Sequence, residues 1–229
     1  MSAATGGATT LLVIAKSPLP GRVKTRLTPC FSPLQAAALA EAALSDTLAA
    51  GLGVAAGRRV LVLDGAPGPW LPAGYEVVPQ AAGGLDGRLA AAFEGCAGPA
   101  LLVGMDTPQL VPELLAVPFG PGGWDGCHAW FGPAADGGFW ALGLADPARA
   151  GLLRGVPMST PRTGAVLRAR LTSAGLRVRD LPALRDVDTP ADAAEVAALA
   201  PHTRFARTFR TLGTPVPTPA GPGLTAESR

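Results

Sequence analysis

Cysteine, histidine and tyrosine are scarce in this chain of 229 residues, at three, two and one. The cysteines, Cys30, Cys96 and Cys127, are odd in number, widely spaced and without a CxxC pair. That excludes a disulfide framework and a structural zinc site, and it fits a reducing compartment. His128 and His202 stand without metal-ligand spacing around them. No GxSxG or HExxH occurs, so hydrolase and zinc readings find no support. Excess charge is lacking too. A formal net charge of +2 is too small for a surface that binds nucleic acid or an anionic membrane. No apolar run approaches the roughly 20 residues of a membrane span. The opening MSAATGGATT has neither the basic n-region nor the apolar h-region of a secretory signal, so the expected location is the cytoplasm.

What is present is 48% apolar and 16% charged, the balance of a globular chain rather than a disordered one. The length suits one domain, expected over residues 10–212, between a small polar leader (1–9) and a Pro/Gly/Thr-rich tail (213–229) that reads as disordered. Leu11 to Ala15 and Ala100 to Gly104 are short continuous apolar runs, the pattern of strands buried on both faces, and Arg59 to Leu63 reads as another strand. Tyr75 to Val78, Cys127 to Phe131, Phe139 to Leu144 and Leu176 to Leu181 read as further strands. Helices are expected from Pro33 to about Ala50, with Ser32 as cap, and over Leu85 to Gly95. Others should start near Gln109, span Thr163 to Ala174, and span Pro190 to Ala200. Strands alternating with helices predict an α/β fold, a mostly parallel open sheet sandwiched by helices. In such sheets ligands bind beyond the carboxyl ends of the strands.

The polar clusters fall at those ends. KSPLPGRVKTRL, Lys16 to Leu27, follows the first strand and carries Lys16, Arg22, Lys24 and Arg26 on a loop stiffened by prolines and released by Gly21. Clustered cations and forked guanidinium donors suit a di- or triphosphate, whereas a plain solvated basic loop is the alternative. The loop is neither GxxxxGK[ST] nor GxGxxG, which excludes a P-loop and a classical dinucleotide fingerprint. Asp106 in GMDTP ends a strand-like run, and Asp188 lies in a second D-T-P element, DVDTP. Each could hold a magnesium ion through its carboxylate or lie in an ordinary helix cap. Two such elements in one chain suggest carboxylates converging on one metal. Asp136 precedes Gly137 and Gly138, either in a simple hairpin turn or against a ligand, with Asp136 as base. Gln80 and Arg88, in QAAGGLDGR, either close over a nucleotide or belong to a strand-to-helix connection.

Taken in order, KSPLPGRVKTRL, Gln80 with GGLDGR, GMDTPQL, GPAADGGFWALGL, Ser159-Thr160-Pro161 and DVDTPADAAEV resemble the DUF2064 family of bacterial glycosyltransferases. That family lies within the nucleotide-diphospho-sugar transferase superfamily, with its GT-A, Rossmann-like fold, and some members are named arsenosugar biosynthesis glycosyltransferases. The resemblance spans about Leu11 to Leu199. It implies that Lys16, Lys24 and Arg26 contact phosphates and that Asp106 and Asp188 bind a divalent metal, Mg2+ or Mn2+. It also implies that Asp136, Gly137 and Gly138 match the family's DGGY segment, with Phe139 replacing its tyrosine.

The expected activity is metal-dependent transfer of a sugar from a nucleotide-diphospho-sugar to a small-molecule acceptor. Lys24, Arg26 and Asp136 are the expected catalytic residues, and Lys16, Gly21, Arg22, Gln80, Arg88, Gly137 and Gly138 are expected to contact substrate. The alternative is a nucleotidyltransferase that joins an NTP to a phosphorylated small molecule and releases pyrophosphate. A non-catalytic nucleotide-binding protein would instead use Asp106 and Asp188 only as helix caps. No nucleic-acid partner is expected.

Overall fold

The computed structural model describes residues 8–28 and 30–213. Seven strands form one sheet in the order β3-β2-β1-β4-β6-β5-β7. They are β1 (Thr10–Lys16), β2 (Arg58–Asp64), β3 (Glu76–Pro79), β4 (Ala100–Val103), β5 (Ala129–Pro133), β6 (Phe139–Leu144) and β7 (Val178–Asp180). Only β6 runs against the others: it pairs antiparallel with β4 and β5, and the remaining pairs are parallel. The chain proceeds from β1 outward through β2 and β3, then returns to place β4 on the other side of β1. This reversal of direction opens a crevice at the carboxyl ends of β1 and β4.

Strand side chains alternate between two faces, and the central strands are apolar on both. Leu11, Val13, Leu61, Leu63, Leu101 and Val103 face α1 (Pro33–Leu52) and α3 (Pro112–Phe119). Leu12, Val60, Val62 and Leu102 face α2 (Leu85–Glu94) and α4 (Thr163–Ser173). A third apolar layer lies outside α1. There Leu39 and Ala43 of α1 pack with Leu27, Phe31 and Val187, with Val196 of α5 (Pro190–Leu199), and with Phe205 and Phe209 of α6 (Arg204–Leu212). A helix enclosed on both sides must be apolar nearly all round, which accounts for the Ala/Leu composition of α1. Its start follows the expected chemistry: Ser32 accepts from Gln35 N while Gln35 reaches back to Ser32 N, and Pro33 opens the helix.

Three elements differ from the sequence expectation. The helix expected near Gln109 begins at Pro112, because Leu110 N closes a turn on Thr107 O and Pro112 suits the first helical position. Pro147–Leu153 forms a 3₁₀ stretch where no element was expected. The Arg-rich segment after Thr203 is a helix docked in the same domain, capped by Thr203 and held by Asp46, which accepts from Arg204 N and Phe205 N. Of the expected leader only Ala8 and Thr9 are described, and Thr9 is tied down. Its hydroxyl donates to Pro118 O and accepts from Trp124 Nε1. The expected tail lies outside the described residues, save Gly213. Among the described residues no helix is long and apolar enough to cross a membrane.

Candidate active site

A cavity of about 870 Å³ opens over the carboxyl ends of the strands. Its walls are the loop after β1, the segment after β3, the loop after β4, the β5–β6 turn, the 158–163 loop and the stretch before α5. Lys16, Arg22, Lys24, Arg26, Gln80, Arg88, Asp106, Asp136, Gly138 and Asp188 all line it. Gly21 and Gly137 do not, and both serve the backbone instead. Gly21 has φ +75 with open space around it, so it turns the basic loop. Gly137 has φ +88, and a Cβ there would lie 2.1 Å from Pro161 O, so only glycine fits.

The basic loop is pinned at two points. Val23 is buried in the core beneath α1, and Leu27 in the outer layer. Between them Lys24 adopts a left-handed backbone, φ 48 and ψ 38, as the cap of a short 3₁₀ turn. That conformation is uncommon for a residue with a side chain. The Lys24 Nζ lies 2.6 Å from Asp106 Oδ1 and 3.2 Å from Asp188 Oδ1. Two oxygens that share one nitrogen this closely are less than ~6 Å apart; a single magnesium, with oxygens at about 2.1 Å, would draw them to within ~4.2 Å of each other. Arg26 completes the group, 3.3 Å from Asp188 Oδ2. Burial works against the Lys24 ammonium, but the charges of Asp106 and Asp188 outweigh it and hold its pKa above the ordinary lysine value.

Two hydrogen bonds explain how distant segments meet. Val187 N donates to Asp106 O at 2.9 Å, and Gln109 Nε2 donates to Arg185 O at 2.7 Å. These bonds stitch the loop after β4 to the stretch before α5. Neither aspartate caps a helix. The cap of α3 is Val111, and the cap of α5 is Thr189, which forms a capping box with Asp192. The capping alternative is therefore removed for Asp106 and Asp188.

Asp186 belongs to the site although the sequence reading did not select it. Its Oδ1 is buried without a hydrogen-bond partner. Burial first, then the charges of Asp106, Asp136 and Asp188, push its carboxyl up to about 7 against the pull of Lys24. The signal was present in Asp186-Val187-Asp188. On an extended backbone alternate side chains share a face, and Val187, 1% exposed, points into the outer core while both aspartates line the cavity. Thr107, 1% exposed, also lines the cavity with its hydroxyl unpartnered.

At the β5–β6 turn, beside the segment that leads to Asp186, Asp136 Oδ1 accepts from Gly138 N at 2.8 Å. Gly164 N donates to Gly137 O at 2.9 Å, welding the β5–β6 turn to the start of α4. Gln80 is fixed by its amide, which donates to Ala15 O and Val62 O. Arg88 bonds Gly83 O and Asp64. Among the described residues Lys16 and Arg22 form no ion pair, and both are exposed.

A divalent metal fits the donor set. Two carboxylates converge on one cation, here the Lys24 ammonium, and the unpartnered oxygen of Asp186 lies nearby. Among the described residues no three Asp, Glu, His or Cys side chains converge as a ready cage. Hard oxygen donors that leave positions open for phosphate oxygens are the arrangement magnesium takes at nucleotide sites.

Residues 35–160 match the family described as an uncharacterized protein conserved in bacteria, DUF2064. The chain belongs to this family. Among solved structures this DUF2064 chain is similar to a Desulfovibrio desulfuricans G20 protein provisionally named a nucleotide-diphospho-sugar transferase. That match has a TM-score of 0.77 and 22% identity, and covers 89% of this chain and 94% of that one. It is similar to Rv0371c from Mycobacterium tuberculosis H37Rv, solved in complex with manganese, with a TM-score of 0.52, 21% identity, and 84% and 98% of the two chains covered. CMP:2-keto-3-deoxy-manno-octonic acid synthetase, solved with CTP, matches with a TM-score of 0.56 and 14% identity, over 85% and 99% of the two chains. At these identities the likeness establishes the GT-A-like fold. No curated protein matches the chain.

Proposed function

We propose that this protein is a metal-dependent transferase that moves a glycosyl group from a nucleotide-diphospho-sugar to a small acceptor hydroxyl. The observation that carries this reading is the convergence of Asp106 and Asp188 on one cation position, beside a loop of further cations, at the switch point of the sheet. A neighbour of the same fold solved with manganese adds support for the metal.

Asp106 and Asp188 would hold the metal, which when bound supplies positive charge against the departing diphosphate. Lys16 and Arg22, free of ion pairs, are the first cations available to the phosphate oxygens, and Arg26 follows if it leaves Asp188. Asp136, at the β5–β6 turn, takes the proton of the acceptor hydroxyl as its oxygen bonds to the anomeric carbon. The bond from that carbon to the diphosphate oxygen breaks, and the nucleoside diphosphate departs with the electron pair. The 158–163 loop and Phe139 form the wall on the acceptor side.

Nucleotidyl transfer is the second reading, favoured by the likeness to a fold solved with CTP. There a phosphorylated acceptor attacks the α-phosphorus of an NTP and pyrophosphate leaves. One experiment separates the two. Purified protein is incubated with Mn2+ and labelled UDP-, GDP- and dTDP-sugars, or with NTPs and sugar phosphates. Release of nucleoside diphosphate supports glycosyl transfer, and release of pyrophosphate supports nucleotidyl transfer. Turnover that Asp106→Ala leaves unchanged would overturn both.

A further inference from the structure

Lys24 is held in an unexpected way for a residue of a phosphate-gripping loop. Its side chain is 8% exposed, whereas those of Asp106 and Asp188 are 38% and 37% exposed. The ammonium therefore lies beneath the rim that the carboxylates present to the cavity. The loop is shaped to put it there, with Val23 and Leu27 anchored on either side and a left-handed backbone between them. Arg26 faces the second oxygen of Asp188.

The charges decide what this group can admit. Asp106 and Asp188 contribute two negative charges, and Lys24 and Arg26 two positive ones. A bare divalent ion therefore meets no net attraction from the four groups, and it competes with an ammonium already bonded to both carboxylates. A divalent ion that arrives with a diphosphate brings negative oxygens of its own. Those oxygens offer Lys24 and Arg26 new partners and release the carboxylates.

We infer that Lys24 is a resident counter-cation that bars a bare divalent ion from the Asp106 and Asp188 carboxylates, so that metal and nucleotide phosphates enter the site together. The inference rests on the reading of those aspartates as metal ligands. It gives Lys24 a counter-cation role before the nucleotide binds, ahead of the phosphate contact that the sequence resemblance implied. It also makes metal and phosphate affinities reciprocal, since each ligand must favour the other by the same factor.

The test is Mn2+ binding to the metal-free, full-length protein, read from the EPR signal of the free ion, with and without pyrophosphate. Protein-free controls correct for Mn2+ bound by pyrophosphate itself. In the wild type, pyrophosphate should tighten Mn2+ binding roughly 5- to 150-fold, the usual span of a coupling between two ligands. Lys24→Met should gain a similar factor for Mn2+ alone and show little further coupling, and Lys24→Arg should follow the wild type. If Lys24→Met does not fold by circular dichroism, Lys24→Gln takes its place. Neutral variants that bind bare Mn2+ no more tightly than the wild type overturn the counter-cation role. If Asp106→Asn and Asp188→Asn keep wild-type Mn2+ binding in the presence of pyrophosphate, the metal reading itself is wrong, whatever Lys24 does.

Discussion

Val187 donates its backbone N–H to the carbonyl of Asp106 at 2.9 Å, and this one bond joins two carboxylates that are 82 positions apart in the chain. With Val187 tied to Asp106, the side chains on either side of it, Asp186 and Asp188, turn toward the cavity. Val187→Pro removes the donor and disturbs a side chain that is 1% exposed. We expect a loss of about 1–3 kcal/mol in stability, read by denaturant unfolding. Mn2+ affinity in the presence of pyrophosphate should weaken as well. Unchanged metal binding would show that the bond does not assemble the site.

Asp106→Asn and Asp188→Asn keep the shape of each side chain and remove its charge. Each should lower turnover by roughly 10²-fold or more while the melting transition stays cooperative. Excess Mn2+ should partly restore Asp188→Asn, because Asp106 still provides one ligand. Steady-state kinetics across a Mn2+ series checks both statements.

Asp186 sets a pH dependence whose sign is fixed. Its folded carboxyl titrates at about 7, above the ordinary aspartate value, so between roughly pH 4 and 7 the folded state holds more protons than the unfolded one. Its contribution to stability is fully present below that window and is lost as pH rises through it. Asp186→Asn should flatten this fall, so that the metal-free variant gains on the wild type as pH goes from 4 to 8. Parallel stability curves for the two proteins would remove Asp186 as the cause.

Gly137→Ala places a methyl group 2.1 Å from Pro161 O at φ +88. The β5–β6 turn must shift, at a cost of about 1–3 kcal/mol, and carry Asp136 with it. The expected signature is a fall in kcat with little change in KM for the nucleotide. A rise in KM alone would place Gly137 against the nucleotide instead.

Lys16→Ala and Arg22→Ala touch exposed cations without ion pairs, so stability should stay within about 0.5 kcal/mol of the wild type. KM for the nucleotide should rise, and the two effects should shrink as salt is added. An equal loss at low and high salt would mean that these side chains do not meet phosphate.

The sheet was legible because its central strands, buried on both faces, appear as unbroken apolar runs in β1, β2 and β4. The ends of α3 and the 3₁₀ stretch at Pro147–Leu153 were not, since local turns such as Leu110 N to Thr107 O decide them. Asp106 and Asp136 could be found as acidic residues just past strands, and Asp188 as part of a second D-T-P element. Asp186 could have been found too, from the alternation around Val187. The pairing of Lys24 with two distant carboxylates could not, because it depends on bonds between segments that share no local pattern. Gly137 was expected beside a ligand, but its close approach to Pro161 is a tertiary fact.

The outer apolar layer has a consequence for how the protein comes into being. As the chain leaves the ribosome from its N-terminus, α1 emerges long before α5 and α6, the helices that cover its far side. Until α6 is released, Leu27 and Phe31 have no completed shelter, and the loop bearing Lys24 lacks one of its two anchors. The basic loop is therefore synthesised before the helices that complete its outer anchor, and it becomes rigid only after them.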